Sequence, residues 1–205
     1  MRERPILFAG PMVRAILSGE KTVTRRVMKP QPDFLGSMVD PNTPFKTLGA
    51  GLHARISCPY GEPGDRLWVR ETFATLSAGQ YEPVKPAHGY GQEVRFAATD
   101  PLADCDVGVR GYPWRPSIHM PRWASRILLE ITAVRVEHLQ DISDEQCVAE
   151  GIGVTKHAVG VKLTSPHDES VPRAMFRELW QSINGAGSWD ANPWVWVVEF
   201  RRIAA

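Results

Sequence analysis

A chain of 205 residues, 43% hydrophobic and 23% charged, has the length and composition of one substantial globular domain with its own core. Its formal net charge of +1 excludes a strong overall field for polyanions, so any contact with nucleic acid must come from a local cluster of positive charge. No apolar run approaches the roughly 20 residues needed to span a bilayer, and Ile6-Leu7-Phe8-Ala9 is too short for a signal-peptide core, so the expected location is the cytoplasm.

The first regular element is a short helix entered through Pro11, with Met12, Ala15 and Ile16 on one face and Ser18-Gly19 as its stop. Directly behind it stands Lys21-Thr22-Val23-Thr24-Arg25-Arg26, in a turn or incipient strand. If this run is extended, Thr22, Thr24 and Arg26 share one side and Lys21, Val23 and Arg25 the other, unless the turn after Gly19 redirects Lys21. A strand follows the turn Pro63-Gly64-Asp65 at Arg66-Leu67-Trp68-Val69-Arg70, and Ile127 to Val136 reads as one strand or two joined at a bend.

The next helix begins at Ser143, where Ser143 and Gln146 form a capping-box pattern with Ile142 and Cys147 as its staple. Gly151 ends it, leaving Glu150 in the last turn. A further helix runs from Pro172 to about Ile183, with Phe176, Leu179, Trp180 and Ile183 as its apolar stripe. Trp194 to Phe200 is the clearest strand. This order argues for an α+β fold, with a small sheet or barrel flanked by helices. Stretches rich in Gly, Pro and polar residues at about 30–63, 77–91 and 153–172 read as long loop insertions within the one domain.

Chemistry concentrates first in the Lys21–Arg26 run. A lysine crowded by Arg25 and Arg26 should have a lowered pKa, and such a lysine serves as a base or activates a neighbouring hydroxyl. Taken alone, a solvated basic turn is the commoner fate of such a run. Glu150 at a helix C-terminus faces the negative end of the helix dipole, so it needs either a raised pKa or a cationic partner such as Lys21. A simply exposed carboxylate, tolerated at small cost, is the bland alternative. Arg115, His119, Arg122, Trp123 and Arg126 interleave charge and aromatic surface, as a phosphate-contacting, base-stacking surface would. Trp114 and Trp123 as core anchors, with solvated arginines, is the competing reading. Arg70 and Glu71 end their strand where they could line the same cleft. Cys58, Cys105 and Cys147 and the six histidines are scattered without metal-ligand spacing, so no metal or other cofactor is expected.

Taken together, Gly19–Arg26, Pro63–Glu71, Ile142–Gly151 and the terminal pair Phe176–Trp180 and Trp194–Phe200 resemble the ASCH (activating signal cointegrator homology) family. The segment Trp114–Arg126 is similar to one in the larger ASCH proteins of phages and prophages. The resemblance implies a PUA-like fold, a small β-barrel with helices across its openings, and a cleft for a nucleoside or RNA. It further implies that, as in the small family members that are amidohydrolases of N4-acetylcytidine, the catalytic roles fall on Lys21, Thr24 and Glu150. Thr22, Arg25, Arg26, Arg70 and Glu71, with the Arg115–Arg126 segment, are then the substrate or nucleic-acid contacts. Other members are RNA-binding modules or ribonucleases, so non-catalytic binding of RNA or DNA, or phosphodiester cleavage in the same basic cleft, stays open beside hydrolysis.

Overall fold

The computed structural model describes residues 1–36, 40, 42–79, 82–87, 91–153 and 169–204. Its centre is a five-stranded sheet in the order β1-β6-β9-β10-β2, built from β1 (Glu3–Leu7), β2 (Val23–Val27), β6 (Arg66–Arg70), β9 (Leu128–His138) and β10 (Trp194–Ile203). β1 and β6 are parallel; the remaining pairs are antiparallel. The fold is mixed α+β, as the order of sequence signals implies.

The sheet curls strongly. Five strands spaced about 4.8 Å apart would place the two edges of a flat sheet roughly 19 Å from each other. An arginine cannot span that gap, yet Arg26 on edge strand β2 donates from Nη2 to the Leu7 carbonyl of edge strand β1 at 2.7 Å. The inner face holds the main core, with Ile6, Phe8, Leu67, Val69, Leu129, Ile131, Val136, Trp196 and Val198 closed over by Val13 and Ile16 of α1 (Gly10–Leu17). Two further helices cover the outer face: α3 (Asp144–Ala149) and α4 (Val171–Asn184) bury Cys147, Phe176 and Trp180 against Val195 and Val197. Burial of these two faces on alternate residues of β10 is what its Val-Trp-Val-Val pattern encodes.

The apolar positions of β9 break the two-residue period once, between Ile131 and Val134. The register against β10 shifts there, with Ile131 opposite Phe200 and Ala133 opposite Glu199. Thr132 is the extra, exposed residue of this bulge, so Ile131 and Val134 both face the inner core. The ambiguity between one strand and two thus resolves as one bulged strand.

The remaining strands form two small sheets. β3 (Phe34–Leu35), β4 (Pro44–Gly49) and β5 (Leu52–Arg55) pair within the stretch expected to be a loop over about 30–63. Little alternation marks them because the hairpin is exposed on both faces near its tip, where Leu48 and Leu52 are largely in solvent. Stacking of Phe34 on Phe45, with ring centroids 5.4 Å apart, holds the base of this sheet. β7 (Phe73–Ser77) pairs with β8 (Gln92–Phe96), one on each side of the second expected insertion. A short helix, α2 (Val107–Arg110), follows. Most of the third insertion, about 153–172, lies outside the described residues. Among the described residues no helix is long and apolar enough to cross a membrane.

Gly151 leads the chain out of α3 at φ +78°, and a Cβ there would stand 2.8 Å from the Ala15 Cβ and 2.9 Å from the Lys21 Cβ. Gly153 has nearly the same φ, +77°, with nothing within 4 Å among the described residues. Both glycines carry the backbone requirement, but only Gly151 also carries a packing one. G153A should cost about 1–2 kcal/mol, the left-handed penalty alone, and G151A a further ~1–3 kcal/mol from overpacking. Denaturant midpoints that are equal for the two variants would contradict this.

Candidate functional site

Lys21 stands where α1, β2 and α3 converge. Its backbone N–H donates to the Ala15 carbonyl at the end of α1, and the next residue, Thr22, donates to Ala149 O at the end of α3, each at 2.9 Å. The turn at Gly19 redirects the Lys21 side chain, so it does not join the Val23 and Arg25 side of the strand; it enters the gap between the curled sheet edges, 5.6 Å from the Phe8 ring centroid. Ladder bonds alternate along an antiparallel strand. Thr22 O therefore bonds Phe200 N, while Val23 O faces away from β10 at the open edge. Lys21 Nζ takes up that edge carbonyl at 2.7 Å.

The other two donors of the ammonium go to Glu150, to its carbonyl at 2.8 Å and to Oε2 at 2.7 Å. An ammonium has three donors, and here all three are used. The Lys21 side chain is 0% exposed and that of Glu150 5%. Burial is the largest influence on Lys21 and moves its pKa below the usual lysine value; the ion pair and hydrogen bond with Glu150 oppose this, and Arg26 and Arg25 contribute the smallest downward pushes. The crowding by arginines that the sequence suggested thus has the right sign but is a minor cause. Glu150 is the C-cap residue of α3, one position past its last turn, and has the cationic partner such a position calls for.

Arg25 points to the outer face, toward α3. Its Nη2 donates to Gln146 Oε1 at 2.7 Å and to Glu137 Oε2 at 3.1 Å, and its Nη1 reaches Glu150 Oε1 at 3.4 Å. Gln146 also completes the capping box of α3, accepting from Ser143 N at 3.0 Å. One amide oxygen therefore ties the start of α3 to β2, while Lys21 and Arg25 tie its end. Glu137 continues to Arg135 and Arg135 to Glu199, giving a chain of alternating charge from the surface to the buried lysine. Arginine does not give up its proton in proteins, so this chain fixes geometry and charge and is no proton wire.

Thr24 is buried on the opposite side of β2 and has no side-chain hydrogen bond to Lys21 or Glu150. It lines a pocket along the open edge of β2 together with Arg25, Arg26, Glu150, Met12 and, from α4, Phe176, Leu179, Trp180, Ile183 and Asn184. The cavity is about 60 Å³, room for a few waters or a small acyl group and well below the ~300–1,000 Å³ of pockets that enclose a whole ligand. Arg26 borders it with its guanidinium 5.4 Å from the Phe8 ring centroid and, among the described residues, without a carboxylate partner.

The other expected site residues are not in this pocket wall. Thr22 is exposed and serves through its backbone. Arg70 lies over its own strand neighbour Trp68, 4.7 Å from the ring centroid. Glu71 is buried and accepts two hydrogen bonds from Arg126, each 2.9 Å, and that guanidinium also sits 4.0 Å from the Phe96 ring centroid. Arg115 is bridged to Phe73 through its backbone, its Nη2 meeting Val84 O at 3.3 Å. Trp123 packs on the small core of Phe73, Met120 and Ala124. Arg122 pairs with Glu3 at 2.9 Å, and His119 is exposed. The Arg115–Arg126 segment is thus mainly a strap across the β7–β8 pair: Trp123, like Trp114 just before the segment, packs on a small core cluster, and Arg126 is consumed by Glu71. Residues the sequence reading passed over are Phe176, Leu179, Trp180 and Asn184 as pocket wall and Gln146 and Glu137 as partners of Arg25. The helical stripe of α4 announced a core face, but nothing in it distinguished a core partner from a pocket wall.

Among the described residues no group of three or more His, Cys, Asp or Glu side chains could hold a metal ion. No family model, curated protein or solved structure matches the chain. The fold and site define an α+β protein with a buried Lys–Glu pair at the open edge of a curled sheet, beside a small pocket that holds a threonine.

Removing one partner of a buried ion pair leaves an uncompensated charge, at a cost of about 3–5 kcal/mol. K21M and E150L should each fall in that range, and the double variant should cost less than the two together because the orphaned charge is gone. Additive losses in chemical denaturation would show that the two groups are not coupled.

Proposed function

We propose that the chain is an ASCH-type protein of PUA-like fold that acts on a modified nucleoside, cleaving the N-acyl amide of a base such as N4-acetylcytidine. The observation that carries this reading is the Lys21–Glu150 pair, 2.7 Å between charged atoms and almost wholly out of solvent, whose Glu150 lines the pocket that holds Thr24. The curl of the sheet, with its edges bridged by Arg26, supports a barrel-like architecture.

In this reading the acyl group enters the pocket and the base stays at its mouth, near the exposed Ile183 and Asn184. Burial makes the Lys21 ammonium readier to release its proton, and Glu150 Oε2 lies in position to receive it. The neutral amine then accepts the proton of the Thr24 hydroxyl, once that side chain rotates into reach, as Oγ1 attacks the acyl carbon. The negative charge that forms on the acyl oxygen is met by Arg26, which has no carboxylate partner among the described residues. The C–N bond breaks, the proton held by the pair passes to the leaving amine, and water hydrolyses the threonine ester to release the carboxylate. The pair returns to its starting state.

Binding of RNA or DNA through Arg115–Arg126, or cleavage of a phosphodiester there, has less to rest on, because Arg126 and Trp123 are engaged within the protein. Incubation with N4-acetylcytidine should release cytidine and acetate. K21M, T24A and E150Q should each lower the rate by at least about 100-fold, the usual scale for loss of a proton-transfer group or nucleophile. Undiminished hydrolysis in all three folded variants would refute the mechanism. Salt-sensitive retention on RNA that is lost in R122A would favour the binding reading instead.

A further inference from the structure

Strand β9 outruns its neighbour β6, and the edge it leaves open borders a cavity that the Lys21 site does not use. Leu139 N donates to Pro193 O at 3.0 Å, which fixes the phase of the β9–β10 ladder. Leu139, Glu137 and Arg135 therefore turn their N–H and C=O groups to β10, and Val136 and Val134 turn theirs away. Ile131 also faces away from β10, and there both groups are met: its N–H donates to Asp65 O and its carbonyl accepts from Gly64 N, each at 2.9 Å. Before Gly64 the chain leaves the sheet. Pro63 has no N–H to offer, and Glu62 closes a turn by accepting from Asp65 N at 2.9 Å. The four edge groups of Val134 and Val136 are left with no hydrogen-bond partner among the described residues. A cavity of about 340 Å³ lies in the gap, with Gly61, Glu62 and Pro63 on one side and Val134, Arg135 and Val136 on the other. Side chains alternate between the faces of a strand, so three consecutive residues border one cavity through their backbone edge.

We infer that this gap is a peptide-binding slot, in which an extended segment of a partner polypeptide adds a strand to the edge of β9 at Val134–Val136. An open edge is a template for another chain, and its two N–H and two C=O groups repeat at the spacing of a strand, about 7 Å for two residues. Three extended residues of a partner match all four groups, whereas the edge of a single planar ligand reaches those of one residue. The slot is recessed, since Val136 is 6% exposed and Trp196, also in its wall, 5%. A strand already flanked by neighbours in another folded sheet does not enter such a gap; a lone flexible segment does. Partner residues opposite Val134 and Val136 turn their side chains to the same face, beside Trp196, and are apolar; the one between them points to the opposite face and is polar. The rim carries Arg55 and Glu62, one charge of each sign and neither with an ion-pair partner among the described residues, so it presents no field that favours a polyanion.

The test selects a library of random heptapeptides displayed on phage against the full chain, with S57W as the counter-selection. Ser57 is exposed and lines the same cavity, so a tryptophan there fills the slot without altering β9. Peptides enriched on the unmodified chain should alternate apolar and polar residues. One of them, synthesised, is then titrated into the chain labelled with nitrogen-15. Before addition, the Val134 and Val136 amides should exchange with solvent faster than those of Arg135 and Glu137, which are bonded to β10. At saturation the two valine amides should move downfield and slow by at least about 10-fold, with Arg135 and Glu137 little changed. Enrichment that is equal on S57W, or a bound peptide that leaves both valine amides unmoved, overturns the inference. Protection of these amides by oligocytidylate, or by raising the concentration of the chain alone, would overturn it too, in favour of RNA or of a second copy.

Discussion

The ion pair of Lys21 and Glu150 is the constraint on which the arrangement of this protein turns. Neither group is tolerable alone where it sits. A lysine with a side chain wholly out of water needs every ammonium donor met, and a carboxylate beyond the last turn of a helix faces the negative end of the helix dipole. Each supplies what the other lacks. Because the two are 129 positions apart in sequence, the pair exists only when the helix–strand turn after α1 and the end of α3 are brought to one point.

Much of the fold serves that convergence. The sheet curls until Arg26 bridges its edges, which creates the gap that Lys21 fills. The absence of a side chain at Gly151 lets α3 end against the stem of Lys21. Gln146 links the cap of α3 to Arg25, and Arg25 in turn holds the second oxygen of Glu150. Formal charge cancels along the chain from Lys21 to Glu199, while Arg26 at the pocket edge is without a carboxylate partner among the described residues. The pocket beside the pair, about 60 Å³, has room for a small group rather than a whole ligand.

Much of this was legible in the sequence. The capping box at Ser143 and Gln146, the stop at Gly19, the stripe of α4 and the aromatic strand β10 are local signals with local causes, and each appears where the pattern put it. Lys21, Thr24 and Glu150 could be singled out, and Lys21 and Glu150 do meet. The rest depended on tertiary placement. Burial, not neighbouring arginines, dominates the behaviour of Lys21, and burial of a lysine cannot be read from a basic hexapeptide. Arg126 looked like a phosphate contact because its partner Glu71 lies 55 positions earlier. The strands β3 to β5 were hidden because a hairpin exposed on both faces near its tip shows little alternation to detect. Trp180 carried a core signature because its ring is in the core, and no local pattern showed that it also borders the pocket.

The central claim is that Lys21 is a buried, pair-held ammonium whose proton is within easy exchange of Glu150. With six lysines in the chain, labelling of the lysine ε-carbon gives a spectrum simple enough to titrate residue by residue. The Lys21 signal, identified by its loss in K21M, should titrate below the usual lysine range. In E150Q, where the favourable partner charge is gone and burial remains, it should titrate lower still. A Lys21 signal that titrates in the usual lysine range, and does so unchanged in E150Q, would contradict the account.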